Sequence, residues 1–410
     1  MRKLRGPLCA LCLALLIPLL LRARQVLPMD THPLVAEKYA GWSGVLRLWV
    51  FEGWQSGAGS VSAWLNGCIA RFEKRNPGVY IQPTFVDAGA LAGMNDSGIA
   101  RPDMILFPPT LLDAPAGLAA ISPPEGLRAG LDRVGLWHGQ NYAVPVALGG
   151  YMWAWNATRA DGLPSDWSDG GADALAAPPP EAFQRWDAAL LTLCAGLPHA
   201  TDVPSGEGDA LPGLDLGLGG IGATPAPAPT ADAPAPPCRL PEGFQWDGDA
   251  WRRFINGEVS AIPLTQREVR RLQALSAQGK GPDWRLTAGG IPFTDQLLAL
   301  GICVRGGNDP RPTLCEAFLA LLLSENCQGE LHRAGAFAVT GASSGYDRGD
   351  PLAALDEALR SGAVIAPNLF DKSWGEYASG IVREFISEDG DARVLWPRLA
   401  ARLAENPNID

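Results

Sequence analysis

Between residues 44 and 109 the spacing of apolar side chains changes three times. Residues 45–51 form a short apolar run rich in β-formers, ending in a Gly/Trp/Gln loop, which is the pattern of a buried strand. Val61, Trp64, Leu65, Cys68, Ile69 and Phe72 then recur at helical spacing and lay an apolar stripe along a helix that must stop at Asn76-Pro77-Gly78. Two more buried-type strands follow, Val79–Val86 and Met104–Phe107, the second introduced by Arg101-Pro102-Asp103. Strand, helix, strand, strand predicts a βαβ-type start to a mostly parallel sheet.

The same spacing argument organises the rest. Residues 111–127, with Pro115, Pro123 and Pro124, read as loops, and 141–156 as two strands joined near Gly149-Gly150. Phe183, Trp186, Leu190, Leu193 and Cys194 share one face of a helix over 180–196. The composition then shifts. Residues 198–238 hold almost no large apolar side chains, and ATPAPAPTADAPAPP (223–237) cannot bury enough surface to order itself, which predicts a disordered insertion within one lobe. Trp251, Phe254 and Ile255 lead to a helix end at Asn256-Gly257. After it we expect a strand over 259–264, a helix over 268–275, an apolar stretch over 291–306 and a helix over 315–324. A strand over 335–341 and two terminal helices, 352–361 and 375–403, complete the pattern.

Three stretches, GVLRLWVFEGWQ, ARFEKRNPGVYIQPTFV and GIARPDMILFPP, together resemble the start of the family 1 extracellular solute-binding proteins. These are the sugar-binding type related to maltose-binding protein. Phe-x-x-Gly-x-x-Ala at 254–261 is a further similar element. The resemblance implies an α/β, two-lobed periplasmic-binding-protein-like fold (type II), its discontinuous lobes joined by a hinge. One lobe would comprise 45–146 plus 294–338 and the other 148–290 plus 342–410, with crossings near Ala147, Pro292 and Thr340. It also implies a monomeric, non-enzymatic subunit of an ABC importer. That subunit would bind a sugar between its lobes and deliver it to permease subunits, without a cofactor.

Charge and targeting agree with export. The first 24 residues carry five basic side chains and no acid, followed from Gln25 by 28 basic against 44 acidic side chains, a net of −16. Such a body repels phosphate backbones, which argues against nucleic-acid binding. Arg2, Lys3 and Arg5 precede an uncharged apolar run over 7–21. That run would span roughly 22 Å as a helix, short for a bilayer, so residues 1–24 read as a signal sequence. Arg22-Ala23-Arg24-Gln25 lacks the small-x-small cleavage pattern, and an uncleaved membrane anchor stays open beside it. Six cysteines follow, with no CxxC motif or Cys/His cluster; we expect buried free thiols and assign no pairing.

Candidate chemistry is sparse. The four histidines are isolated, so no metal is expected. Gly217–Gly222 satisfies GxGxxG without the flanking strand and helix, and Gly341–Gly345 satisfies GxSxG without a helix or a later histidine. The positive signal is fourteen tryptophans. Indole faces pack on the C–H faces of sugars, and planar polar side chains hydrogen-bond their hydroxyls. Trp49, Trp64, Trp186, Trp251 and Trp396 read as core, whereas Trp54 reads equally as packing or cleft lining. The resemblance nominates Trp54, Gln55, Phe107, Thr110, Tyr151, Thr265, Gln266 and Trp374 as ligand-binding, and Asp103 as structural. Gly149 stands where the maltose-binding pattern offers a carboxylate, which argues against maltodextrin. Two rivals remain: a degenerate solute-binding protein acting as a surface sensor or scaffold, and an exported hydrolase.

Overall fold

The opening βαβ pattern forms the first sheet of the molecule. The computed structural model describes residues 42–51, 60–87, 89, 101–122, 124–164, 166–181, 185–197, 237–343, 345–387 and 390–405. β1 (Gly44–Phe51) leads into α1 (Val61–Arg75), which buries the six apolar positions its spacing marked out. Ser60 caps its start by accepting from Ala63 N, and Asn76 closes its end by donating from Nδ2 to Phe72 O at 2.8 Å. β2 (Val79–Val86) and β3 (Met104–Phe107) then pair parallel with β1, one on each side.

Asp103 fixes the entry to β3. Its buried carboxylate accepts from Arg47 N at 2.8 Å and from Arg305 Nη2 at 2.7 Å, with Arg311 Nη1 at 3.2 Å. A buried carboxylate held by two guanidinium groups ties three segments distant in sequence. A small hairpin of β4 (Leu136–Trp137) and β5 (Gln140–Asn141) precedes β6 (Ala143–Leu148).

The chain then leaves the first sheet. β7 (Tyr151–Asn156) is the centre of a second, wholly antiparallel sheet, flanked by β8 (Ala261–Thr265) and β9 (Trp284–Ala288). Between β7 and β8 lie α2 (Trp186–Ala195) and α3 (Ala250–Ile255), and α4 (Gln266–Ser276) follows β8 directly. β10 (Leu297–Ile302) returns to the first sheet and inserts antiparallel between β3 and β6, giving the order β2-β1-β3-β10-β6. The helices α5 (Arg311–Leu322), α6 (Glu325–Gly329), α7 (Pro351–Arg360), α8 (Ser373–Ile386) and α9 (Ala392–Ala404) complete the chain.

Three apolar clusters result. One lies under the first sheet against α1 and α5, another joins β7 to α2, α8 and α9, and the third runs across the junction through Phe107, Leu148, Met152, Leu297, Phe337 and Phe370. Trp49, Trp64 and Trp186 are buried as expected, while Trp251 and Trp396 are half-buried.

Three expectations change. Residues 335–341 make isolated bridges, Phe337 with Leu148 and Thr340 with Leu127, instead of a continuous strand. The helix expected over 375–403 is two helices, because the α8 path ends at Ser387 and Asp391 caps α9 by accepting from Arg393 N at 3.0 Å. β9 was not marked by the pattern, since only Leu286 among its five residues is buried. The proposed insertion at 198–238 falls outside the described residues up to 236.

Candidate functional site

The two sheets meet where three stretches of chain run side by side. Leu148 and Phe337 exchange both backbone hydrogen bonds, Leu148 N to Phe337 O at 3.1 Å and Phe337 N to Leu148 O at 2.7 Å. Gly149 N donates to Gln296 O at 2.7 Å, so the 149–150, 295–297 and 335–341 segments share one hydrogen-bonded crossing. Gly149 leaves room for Gln266: a Cβ there would lie 2.1 Å from Gln266 Nε2 and would push that side chain aside. Gln266, the first residue of α4, lies over the glycine pair, accepting from Gly150 N at 3.0 Å through Oε1.

A polar cluster occupies the middle of this crossing. Tyr151 Oη donates to Asp295 Oδ1 at 2.5 Å, and Gln296 Nε2 donates to Tyr151 Oη at 3.0 Å and to Asp295 Oδ1 at 3.1 Å. Arg185 N donates to Asp295 Oδ2 at 2.9 Å, while its guanidinium pairs with Asp187 and reaches Gly375 O at 3.0 Å. Burial raises the Asp295 carboxyl above its ordinary value, against three donors that favour the ionised form. Burial, and then the neighbouring Asp295, push the Tyr151 hydroxyl well above the ordinary phenol value. Tyr151 therefore stays protonated and serves as donor.

A second buried charge site flanks the crossing. Arg128 N donates to Val339 O at 2.8 Å, and its Nη2 meets Asp356 of α7 at 2.6 Å. Asp356 also accepts from Arg360 Nε at 3.0 Å. Burial lowers the Arg128 pKa despite that carboxylate.

Away from the hinge, two loops touch. The loop after β3 presents Thr110, whose φ of 66° is a left-handed conformation uncommon for a β-branched residue and costly by about 1–2 kcal/mol. Its N–H donates to Leu369 O at 3.1 Å, and Asp113 on the same loop pairs with Lys372. Phe370 packs against Phe107 and Trp137, with ring centroids 6.2 and 6.0 Å away. Asn368 anchors this second loop by donating from Nδ2 to Leu136 O at 2.9 Å and Arg133 O at 3.2 Å.

The nominated residues distribute as follows. Trp54 and Gln55 lie outside the described residues. Phe107, Tyr151, Thr265, Gln266 and Trp374 are buried, and Thr110 is half-buried. Thr265 and Glu268 form a capping box at the start of α4, with Thr265 N donating to Glu268 Oε2 at 3.0 Å. Trp374 packs on Phe293 with ring centroids 6.4 Å apart. Two nominated residues hold buried donors, Gln266 Nε2 and Trp374 Nε1, that find no hydrogen-bond partner among the described residues. Asp295, Gln296, Arg185 and Phe370 were not nominated, although the Thr-Asp-Gln run at 294–296 stands out as polar inside an apolar stretch. A cavity of about 810 Å³, lined by Arg128, Gly130, Arg133, Val364, Asn368 and Leu403 among others, contains none of the eight nominated residues.

Among the described residues no three His, Cys, Asp or Glu side chains converge as metal ligands. The GxSxG segment is followed by turns, and helix starts only at Pro351.

Two α/β lobes joined by parallel crossings, with an antiparallel strand returning into a mostly parallel sheet, define the type II periplasmic-binding-protein fold. The chain is similar in structure to the sugar-binding protein MalE of Xanthomonas citri, with a TM-score of 0.54, 15% identity, and 88% of this chain and 97% of that one covered. It is similar also to the maltodextrin-binding protein MalE1 of L. casei BL23, at 0.53 and 12%, covering 88% and 99%. The GacH receptor of Streptomyces glaucescens, known with acarbose bound, gives 0.52 and 12%, covering 89% and 98%. No family model matches the sequence, and no curated protein matches it.

Proposed function

We propose that the chain is a family 1 solute-binding protein, the extracellular subunit of an ABC importer, and that it holds a sugar or oligosaccharide between its lobes. The observation that carries this reading is the pair of orphaned donors. A buried N–H without a partner costs about 1–3 kcal/mol and calls for an explanation. Gln266 Nε2 and Trp374 Nε1 are both orphaned, and both belong to residues that the sequence resemblance nominates as ligand contacts. When the lobes part, these donors meet solute hydroxyls, and Trp54, Gln55, Phe107, Thr110, Tyr151 and Thr265 complete the two walls. The lobes divide as 45–146 plus 294–338 and 148–290 plus 342–410. A solute that touches both walls at once binds the closed state better and draws the equilibrium toward it. The closed, monomeric protein then docks on the permease. Residues 1–24 place it outside the cytoplasmic membrane, released or tethered.

A surface sensor that no longer transports is the second reading. It is favoured by the burial of five of the six nominated residues in the described part. Thermal unfolding against a panel of mono- and oligosaccharides separates the two. A rise of several degrees with one sugar, lost in Gln266→Ala, supports binding. No shift with any sugar, amino acid or polyamine sinks it.

A further inference from the structure

Two cysteines stand at the ends of the Pro/Ala-rich excursion. Cys194 is on the last turn of α2, and Cys238 is the second described residue after the excursion, with 43 residues between them. Both are fully buried in the cluster that α2 shares with α8 and α9. The two thiols lie close enough to interact, and all six described cysteines are unbridged in the structure.

The start of α9 clamps both ends in this position. Cys238 N donates to Asp391 Oδ1 at 2.9 Å, and Ala392 N donates to Cys238 O at 2.9 Å. Arg393 Nη2 donates to Leu197 O at 3.4 Å. Three consecutive residues thus hold the departing and the returning chain side by side. Each clamp uses backbone atoms of the excursion's ends, so it works whatever the intervening sequence does.

We propose that Cys194 and Cys238 are a disulfide site that closes the base of the excursion in the mature protein. The proposal rests on the exported location argued above, because that location supplies an oxidising compartment. Full burial in the fold means that the bond forms while the chain is still folding. The oxidant is an external disulfide, from a small molecule or a thiol–disulfide oxidoreductase. One cysteine thiolate attacks it, releasing the first external thiolate and forming a mixed disulfide. The second cysteine gives up its proton and attacks the protein sulfur of that mixed bond, releasing the second external thiol. Two protein thiols are oxidised and one external disulfide is reduced to two thiols.

The other cysteines lie in different settings. Arg71 Nη1 lies 3.5 Å from Cys327 Sγ, beside Cys68, and a cation on sulfur favours the thiolate and hence the reduced pair. Cys315 Sγ faces Asp103 O at 3.9 Å. At Cys194 and Cys238 no described cation donates a hydrogen bond to either sulfur. Burial there pushes the Cys194 thiol well above its ordinary value, which disfavours a free thiolate without opposing a disulfide.

The test uses the full chain, unfolded in reductant and refolded with a mixture of oxidised and reduced glutathione. It is then denatured, alkylated without reductant and mapped as peptides by mass. We expect one linked peptide pair joining Cys194 to Cys238, with Cys303 and Cys315 alkylated. Alkylation of both Cys194 and Cys238, or a bond from either to a third cysteine, overturns the proposal. A second readout needs no mapping: reductant should lower the Tm of the oxidised wild type by several degrees and leave Cys194→Ala/Cys238→Ala unmoved. Equal sensitivity in both overturns it. The sugar panel is read on the same refolded sample. A bridged protein that ignores every sugar defeats the transport reading alone, and a sugar-responsive protein with both thiols free defeats the disulfide alone.

Discussion

Two contacts near the junction of the sheets, the crossing and the contact between the loops after β3 and before α8, are built from different materials. At the crossing, Tyr151, Asp295 and Gln296 are buried and bonded to one another, and backbone pairs run through Leu148, Gly149 and Phe337. At the loop contact, Asp113 and Lys372 pair in solvent, and one aromatic side chain, Phe370, sits between Phe107 and Trp137. An exposed ion pair is worth about 0–1 kcal/mol, whereas breaking a buried one costs about 3–5 kcal/mol. Opening the crossing would strand several buried charged and polar groups, while opening the loop contact would break the Thr110–Leu369, Leu369–Val134 and Asn368–Leu136 hydrogen bonds, expose Phe370 and part a solvated ion pair. The crossing, where the chain itself passes between the sheets, is the hinge, and the loop contact is a latch held by hydrogen bonds as well as by one ring.

The sharpest way to break this distinction is at Asp356. Its carboxylate holds Arg128 and Arg360, and Arg128 in turn donates its backbone N–H to Val339 at the third crossing. Asp356→Ala leaves the buried Arg128 charge without its partner, and we expect a loss of about 4 kcal/mol in urea unfolding. A loss below about 1 kcal/mol would mean that buried charge does not hold the hinge.

Phe370→Ala acts on the latch. Deleting a buried phenyl typically costs about 3–5 kcal/mol, and we expect the lower end because the ring lies at a boundary that can part. The distinguishing readout is shape. Small-angle scattering of the unliganded variant should give a larger radius of gyration than the wild type. An unchanged radius would mean that Phe370 is ordinary core and that the latch lies elsewhere.

The hinge and the latch were not equally legible in the sequence. The βαβ start could be read because each element shows its own period: the stripe from Val61 to Phe72 is helical and one-sided, and Met104–Phe107 is buried on both faces. The crossings expected near Ala147, Pro292 and Thr340 came from the family resemblance and not from any local period in the sequence. The hinge chemistry was hidden. Thr294, Asp295 and Gln296 stand out as polar within an apolar stretch, but the partners Tyr151 and Arg185 are more than a hundred residues away. Pairing across such a separation leaves no local period to detect. Trp374 shows the converse. The resemblance nominated it as a ligand contact, yet α8 packs the ring in the cluster with Phe293, and only its unpartnered Nε1 keeps a polar signature. β9 escaped for a third reason, since a strand with four half-buried residues alternates too weakly to be recognised.

Asp295 gives the smallest effect and probes the hinge by pH. Burial raises its folded pKa above the unfolded carboxyl value of 3.8. Within that window the folded protein binds more protons than the unfolded chain, so stability falls as pH rises. The contribution is complete below the unfolded value and gone once pH passes the raised folded one. Asp295→Asn keeps the shape and one acceptor oxygen but cannot titrate, so its unfolding free energy should decline less from pH 4 to 7 than that of the wild type. If Asp295→Asn and the wild type run parallel, the carboxylate is already ionised throughout the range. The three donors from Tyr151, Gln296 and Arg185 would then outweigh burial, and the hinge would be held by charge-assisted hydrogen bonds and not by a neutral acid.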